Sequence, residues 1–253
     1  MAASGVNEEN DRTLERRNGF ALLVDGYMRD LFSTGIILQR LQYDVYIVSS
    51  AEDALRIIDA AAPAMLITEL ALPQMSGLEL LVRVKHDPAM KAIPVIVLTG
   101  TDDANREKLC IASGCACYLK KPIEPDTLYT AIQRVTEIMP RQYMRLRIML
   151  PARVSGAAAG EAMSTEYVSE VSENGLFICT LNPRPVNTIL TVTVMIHSIP
   201  IRAKAMVLRC VTIDRERFTE PGMGMKFVEI SRTDRELIRN FIKGHIIKDM
   251  PIQ

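Results

Sequence analysis

Four polar residues each follow a short apolar run. Asp25 follows FALLV (Phe20 to Val24), Glu69 follows AMLIT (Ala64 to Thr68), Thr99 follows PVIVL (Pro94 to Leu98), and Lys121, with Lys120 before it, follows CACYL (Cys115 to Leu119). Two carboxylates, a hydroxyl and an ammonium gathered at one place would make a convergent polar site rather than random surface. A second set lies further along. Arg141 and Arg145 form R-x-x-x-R, and Glu170, Ser172 and Gly175 form E-x-S-x-x-G. Net charge separates the two sets. Residues 1–138 hold 14 Lys+Arg and 19 Asp+Glu, a net of −5, whereas residues 139–253 hold 16 and 11, a net of +5. That asymmetry points to an anionic ligand for the second half, or to attraction between the halves.

The apolar runs alternate with helical patterns. Arg29 to Leu41, Ala51 to Ala60, Leu78 to Lys85 and Pro125 to Glu137 have helical periodicity, Asp44 to Val48 reads as a further strand, and a helix opens over Thr101 to Ala104. Ser50 is placed to cap the second helix. Short continuous apolar strands separated by helices predict an α/β doubly wound, five-stranded parallel sheet buried on both faces. In such sheets a ligand site forms at the carboxyl ends of the strands, where Asp25, Glu69, Thr99 and Lys121 all stand.

The stretches LLVDG, ITELALPQMSG, VIVLTG and YLKKP, over roughly residues 19–138, resemble the receiver domain of response regulators. That family takes up a phosphoryl group on an Asp beside Mg²⁺, with two acids after the first strand helping to hold the metal and a Thr or Ser and a Lys binding the phosphoryl oxygens. The resemblance gives Thr99 and Lys121 the last two roles, Asp25 that of the first acid, and Tyr118 that of the family's switch aromatic. Gly26 stands where the second acid belongs, and Glu69 where the phosphoacceptor Asp belongs. Mg²⁺ demands a near-octahedral oxygen shell, and the extra methylene carries the Glu69 carboxylate roughly 1.5 Å further out, about one C–C bond. Neither Mg²⁺ nor productive phosphorylation is expected. Glu69 either mimics the phosphorylated state by reaching Lys121 and Thr99, or merely pairs with Lys121 in a domain reduced to a scaffold.

Beyond Glu137 the texture changes. Arg145 to Val154, the neighbourhood of Tyr167 and Val171, Leu176 to Leu181, Ile189 to Ile196, Ile201 to Ile213 and Gly224 to Val228 read as strands. Ser231 caps a last helix carrying Leu237, Ile238, Phe241 and Ile242 on one face. The prediction is an antiparallel six-stranded β-barrel with a C-terminal helix. R-x-x-x-R, E-x-S-x-x-G and the closing GMGMKFVEIS resemble the PilZ domain, a bacterial receptor for cyclic di-GMP, over roughly residues 140–246. The planar fork of Arg pairs with phosphate or with the O6/N7 edge of guanine and stacks on rings. The resemblance therefore assigns cyclic di-GMP binding to Arg141 and Arg145 on a flexible segment, with Glu170, Ser172 and Gly175, the glycine giving the turn its backbone angles and leaving space. Glu170 departs from the family's Asp or Asn. Arg209, and more weakly Arg147 and Arg202, are further anion contacts or a solvated strand face. The alternative for Arg141 and Arg145 is ion pairing with the acidic first half.

The domain reading is a tail over 1–18, a receiver-like domain over 19–138, a linker over 139–145 and a PilZ-like barrel over 146–253. Hydrophobic residues make up 48% and charged residues 24%, an ordinary globular balance. No run approaches the ~18 apolar residues of a membrane span, and no export signal is visible. Five Cys, an odd count, fit reduced thiols in a bacterial cytoplasm. The Cys115-x-Cys117 pair reads as core packing in a buried strand rather than a metal site. Nothing resembles a nucleophile–base pair, a phosphate loop or a helix–turn–helix, so neither an enzyme nor direct DNA binding is expected. The sequence thus predicts a cyclic di-GMP receptor that signals to an unknown protein partner through a non-phosphorylatable receiver. A homodimer through the last two strand–helix units is open to it. The alternatives are a phosphorylation-dependent response regulator and an adaptor that has lost both ligands.

Overall fold

A computed structural model of the chain describes residues 19–137, 143–155, 164–212 and 220–248. The described residues fall into two compact units, one of residues 19–137 with 246–248, the other within residues 143–245. The first alternates β1 (Ala21–Val24), α1 (Met28–Arg40), β2 (Val45–Val48), α2 (Ala51–Ala60), β3 (Met65–Thr68), α3 (Gly77–His86), β4 (Val95–Thr99), α4 (Ala104–Ala112), β5 (Cys117–Lys120) and α5 (Pro125–Thr136). Its strands pair in parallel in the order β2-β1-β3-β4-β5. Every residue of β1, β3 and β4 is buried. Successive strand side chains point to opposite faces, so both faces of the central sheet are covered. Leu22, Leu66, Ile67, Ile96 and Leu98 are among the largest fully buried side chains.

The outer strands depart from the expectation of full burial. No residue of β2 or β5 is buried, because the strand order puts them at the edges. Cys115 precedes β5, and Cys117 on it is half-buried rather than core. Chain direction across the sheet reverses between β1 and β3, which opens a crevice at their carboxyl ends. Asp25 and Glu69 are the residues that leave those two strands.

Local signals set the helix starts. The Asp53 amide donates to Ser50 Oγ at 3.2 Å and caps α2, and Ser76 with Glu79 forms a capping box on α3. The helix expected to open at Thr101 begins at Ala104, because Asp103 caps it through the Asn105 and Arg106 amides. A Cβ at Gly77 would lie 1.9 Å from the Glu69 carbonyl oxygen. Only glycine lets α3 start that close to the end of β3.

The second unit contains β6 (Arg145–Ser155), β7 (Ser164–Ser172), β8 (Gly175–Cys179), β9 (Ile189–Ile196), β10 (Ile199–Val211), β11 (Gly222–Glu229) and, as far as His245, α6 (Arg232–Ile247). The strands close into an antiparallel barrel in the order β10-β11-β8-β7-β6-β9. Leu146, Val168, Val171, Leu176, Ile178, Val192, Ala205 and Phe227 fill the interior. Ile238 of α6 joins Val171, Leu176, Val192 and Phe227 around it. Ile238, Phe241 and Ile242 are buried as predicted, while Leu237 is half-buried. His197 and Ser198, with φ of 46° and 67°, turn β9 into β10 without a glycine.

Gly175 corrects the sequence reading. Its φ is not positive; among the described glycines only Gly114, at 91°, is left-handed. The constraint is instead close approach, because a Cβ at Gly175 would lie 2.1 Å from the Met225 carbonyl oxygen. Gly175→Ala should therefore force β8 away from β11 and cost about 2–3 kcal/mol, the scale of overpacking. Urea denaturation of the variant against the wild type measures it, and a loss below about 0.5 kcal/mol would refute the close-approach account.

Candidate functional site

The crevice of the first unit brings its four predicted residues together. Lys121 Nζ lies 2.5 Å from Asp25 Oδ2 and 2.8 Å from Glu69 Oε2. It also lies 2.7 Å from Asp30 Oδ2, a partner the sequence did not reveal. An acidic residue in the first turn of a helix is favoured by the helix dipole wherever it occurs, so Asp30 carried no distinguishing signal. The Asp25 and Glu69 side chains are each 4% exposed and that of Lys121 13%, while Asp30 at 38% faces solvent.

The Glu69 carboxylate is fully engaged. Its Oε1 accepts from the Leu70 amide at 2.6 Å and the Ala71 amide at 3.3 Å, and its Oε2 from the Gly100 amide at 3.1 Å. The Thr99 hydroxyl donates to it as well. Asp25 Oδ1 accepts from the Tyr27 amide at 2.9 Å. The half-buried Tyr118 packs against the core and its hydroxyl donates to the Thr101 carbonyl at 3.4 Å.

These contacts set the charges. Burial raises Asp25 above the usual carboxylate range, against the pull of Lys121 and the Tyr27 amide. Burial also pushes Glu69 up, but hydrogen bonds from Lys121 and Thr99, the Lys121 charge and the Gly100 amide together hold it below its ordinary value. Burial lowers Lys121, and its bonds to Asp25, Asp30 and Glu69 outweigh that and raise it. The residues do not fit Mg²⁺: Gly26 supplies no carboxylate, and the ammonium already occupies Asp25 Oδ2 and Glu69 Oε2. Among the described residues no group of three or more His, Cys, Asp or Glu could hold a metal ion.

In the second unit, strand register assembles a patch on the outer face of the barrel. One row runs Arg145, Ser172, Gly175, Lys226 and the next Arg147, Glu170, Phe177, Gly224, Arg209. Arg145 Nη1 lies 2.6 Å from Glu170 Oε1. Its ion-pair partner is therefore a neighbour in its own barrel, and it is the first residue of β6 rather than part of a flexible segment. Arg141 lies outside the described residues. The Ser172 hydroxyl donates to the Gly175 carbonyl at 3.1 Å. The Arg209 guanidinium stands 5.7 Å from the Phe177 ring centroid, within cation–π range. Arg147 and Arg202 are exposed.

A β-bulge orients this patch. The pairs Val168–Ile178 and Glu170–Phe177 leave one extra residue in β7. Val168 therefore points inward while Glu170, two residues on, points outward. The turn between β7 and β8 is held from α6. Arg235 donates to the Glu173 carbonyl at 2.9 Å and to Asn174 Oδ1 at 3.2 Å, and Arg239 reaches Glu173 Oε2 at 2.8 Å. Phe177, Arg235 and Arg239 were not predicted, since only the folded register places them beside the motif.

The chain thus carries a doubly wound parallel sheet with a polar cluster at its switch point and, after it, a small closed barrel with an arginine-bearing outer face. The chain belongs to the response regulator receiver domain family over residues 21–133 and to the PilZ domain family over residues 140–244. It is 31% identical over 115 residues to two-component response regulator ORR5 of Oryza sativa subsp. japonica, covering 45% of this chain and 86% of that protein. It is 29% identical over 125 residues to ORR3 of Oryza sativa subsp. indica, covering 49% and 95%. Among solved structures, the chemotaxis response regulator CheY4 of Vibrio cholerae is 26% identical and covers 46% of this chain and 98% of that one, with a TM-score of 0.44. Receiver and PilZ domains are signalling and binding domains, and PilZ domains in general bind cyclic di-GMP. No helix among the described residues is long and apolar enough to cross a membrane.

Proposed function

We propose that the barrel binds cyclic di-GMP on its outer face and that the receiver domain presents this state to a protein partner in the cytoplasm, without being phosphorylated and without Mg²⁺. One observation carries the ligand reading: Arg145, Glu170 and Ser172 converge on one outer face beside Gly175, with Arg209 on the same face. Arg145 pairs with a ligand phosphate or the guanine O6/N7 edge, and Arg209 offers a second guanidinium. Ser172 is one rotamer from donating to the ligand. Arg141, four residues before Arg145, is assigned to the same ligand by its motif.

In the receiver, the Glu69 carboxylate takes Thr99 and Lys121, the groups that the family uses for phosphoryl oxygens. It is thereby the permanent occupant of that position, and the domain's signalling surface is held in one state. The input is then the nucleotide alone.

Calorimetric titration with cyclic di-GMP tests the reading. The wild type should bind saturably, and Arg145→Ala should weaken binding by about 2 kcal/mol or more, roughly thirtyfold in Kd. A wild type that takes up no ligand at high concentration would overturn it.

A further inference from the structure

The ion pair between Arg145 and Glu170 has a consequence for affinity. Glu170 does not pair with Arg147, which lies directly opposite it in the β6–β7 register. It reaches diagonally along β6 to Arg145, at 2.6 Å. Asp in its place would hold the carboxylate about 1.5 Å further back, the length of one C–C bond, and the contact would open beyond hydrogen-bonding range. The longer arm is what makes this bond. The Glu170 side chain is 19% exposed and that of Arg145 39%, so solvent screens the pair only in part. A carboxylate on Arg145 also stands where an approaching phosphate brings its own negative charge.

We propose that Glu170 is an affinity-setting residue that acts as a built-in competitor: it occupies Arg145 in the free protein, and an anionic ligand must displace it. This rests on the cyclic di-GMP reading of the same patch. The bulge in β7 gives Glu170 its outward aim, and the α6 arginines that hold Glu173 and Asn174 keep the strand end in place. The pair therefore opens by side-chain rotation rather than by movement of the strand. The competitor raises the ligand concentration at which the protein responds.

The test is titration of wild type, Glu170→Gln and Glu170→Asp with cyclic di-GMP and with its inosine analogue, which lacks the exocyclic amino group. Glu170→Gln keeps the shape and removes the charge, and should tighten both ligands by the same factor, roughly fivefold to tenfold, the scale of one partly exposed charge-assisted bond. Glu170→Asp should tighten both by a smaller factor. Thermal unfolding of each variant should stay cooperative, with a midpoint lower than wild type by no more than about 4–8 °C, the scale of one lost pair in a domain of this size, which separates competition from a change in fold. If Glu170 instead reads the guanine edge, Glu170→Gln will weaken cyclic di-GMP and erase its preference over the inosine analogue. That result, or unchanged affinity, overturns the competitor while leaving the ligand reading intact. Absence of binding in wild type and both variants overturns the ligand reading and the competitor with it.

Discussion

Lys121→Met should destabilise the receiver domain by about 3–5 kcal/mol at neutral pH, the cost of leaving buried charges without their partner. Among the described residues the Lys121 ammonium is the cation paired with both Asp25 and Glu69, and both carboxylates are almost wholly buried. Methionine matches the length of the lysine stem, so packing is largely kept and the lost charge dominates. The pH dependence has a definite sign. In the wild type Glu69 is held below its ordinary pKa, so it contributes stability above its unfolded value that is lost as pH falls through the folded one. Asp25 is raised by burial, so it is a cost at neutral pH that vanishes on protonation. Without the ammonium both carboxyls lose a lowering influence and move up, so the deficit of the variant grows as pH rises through them. The deficit should be full at pH 7 and narrow below about pH 5, near the usual carboxylate range. Hydrogen exchange of amides in β1, β3 and β4 reads the stability of this domain directly. A loss under about 1 kcal/mol, or one that does not shrink in acid, would mean that the cluster does not hold the sheet ends together.

The receiver cluster was legible in the sequence because one rule suffices for it. Parallel strands expose their carboxyl ends on one edge, so the residue after each apolar run falls at the site whatever the details of packing. Asp25, Glu69 and Thr99 obey that rule, whereas Lys121 stands one residue beyond it, Lys120 after the run pairing with Asp102 instead. Asp30 does not, since it reaches the cluster from a helix, where an acidic residue already has a dipole reason to be. Strand order was the other gap. Apolar runs do not say which strands are edges, and so CACYL looked buried while β5 is half-exposed. In the barrel, R-x-x-x-R and E-x-S-x-x-G mark the start of β6 and the turn from β7 to β8, but contacts across strands depend on register. A single bulged residue separates the inward Val168 from the outward Glu170. Without it, simple alternation would put both on one face. The same gap hid the Arg145–Glu170 pair, the Phe177 ring beneath Arg209 and the strand contact that demands glycine at 175.

The double variant Gly26→Asp with Glu69→Asp should gain what the wild type is proposed to lack, uptake of a phosphoryl group from a small acyl phosphate in the presence of Mg²⁺. Both sites permit the change. A Cβ at Gly26 would meet nothing nearer than Pro73 Cδ at 3.4 Å and the Ala71 carbonyl oxygen at 3.5 Å, ordinary contact distances. The second acid is therefore missing for want of a side chain, not for want of room. At position 69 the present carboxylate consumes the Ala71 and Gly100 amides and the Lys121 ammonium. Withdrawing it by about 1.5 Å, one C–C bond, releases those donors for an incoming phosphoryl group, whose transfer is governed by positioning and charge stabilisation. Each single change leaves one defect: Glu69→Asp alone still lacks the second metal carboxylate, and Gly26→Asp alone still has its donors filled. Intact-mass measurement after incubation with acetyl phosphate and Mg²⁺ should show the added phosphoryl group in the double variant, little in either single variant and none in the wild type. Labelling of the wild type on this same site would refute the account of Glu69 as its permanent occupant. An inert double variant that folds normally would locate the defect elsewhere, with Asp30 the first residue to change, because it competes for the same Lys121 ammonium.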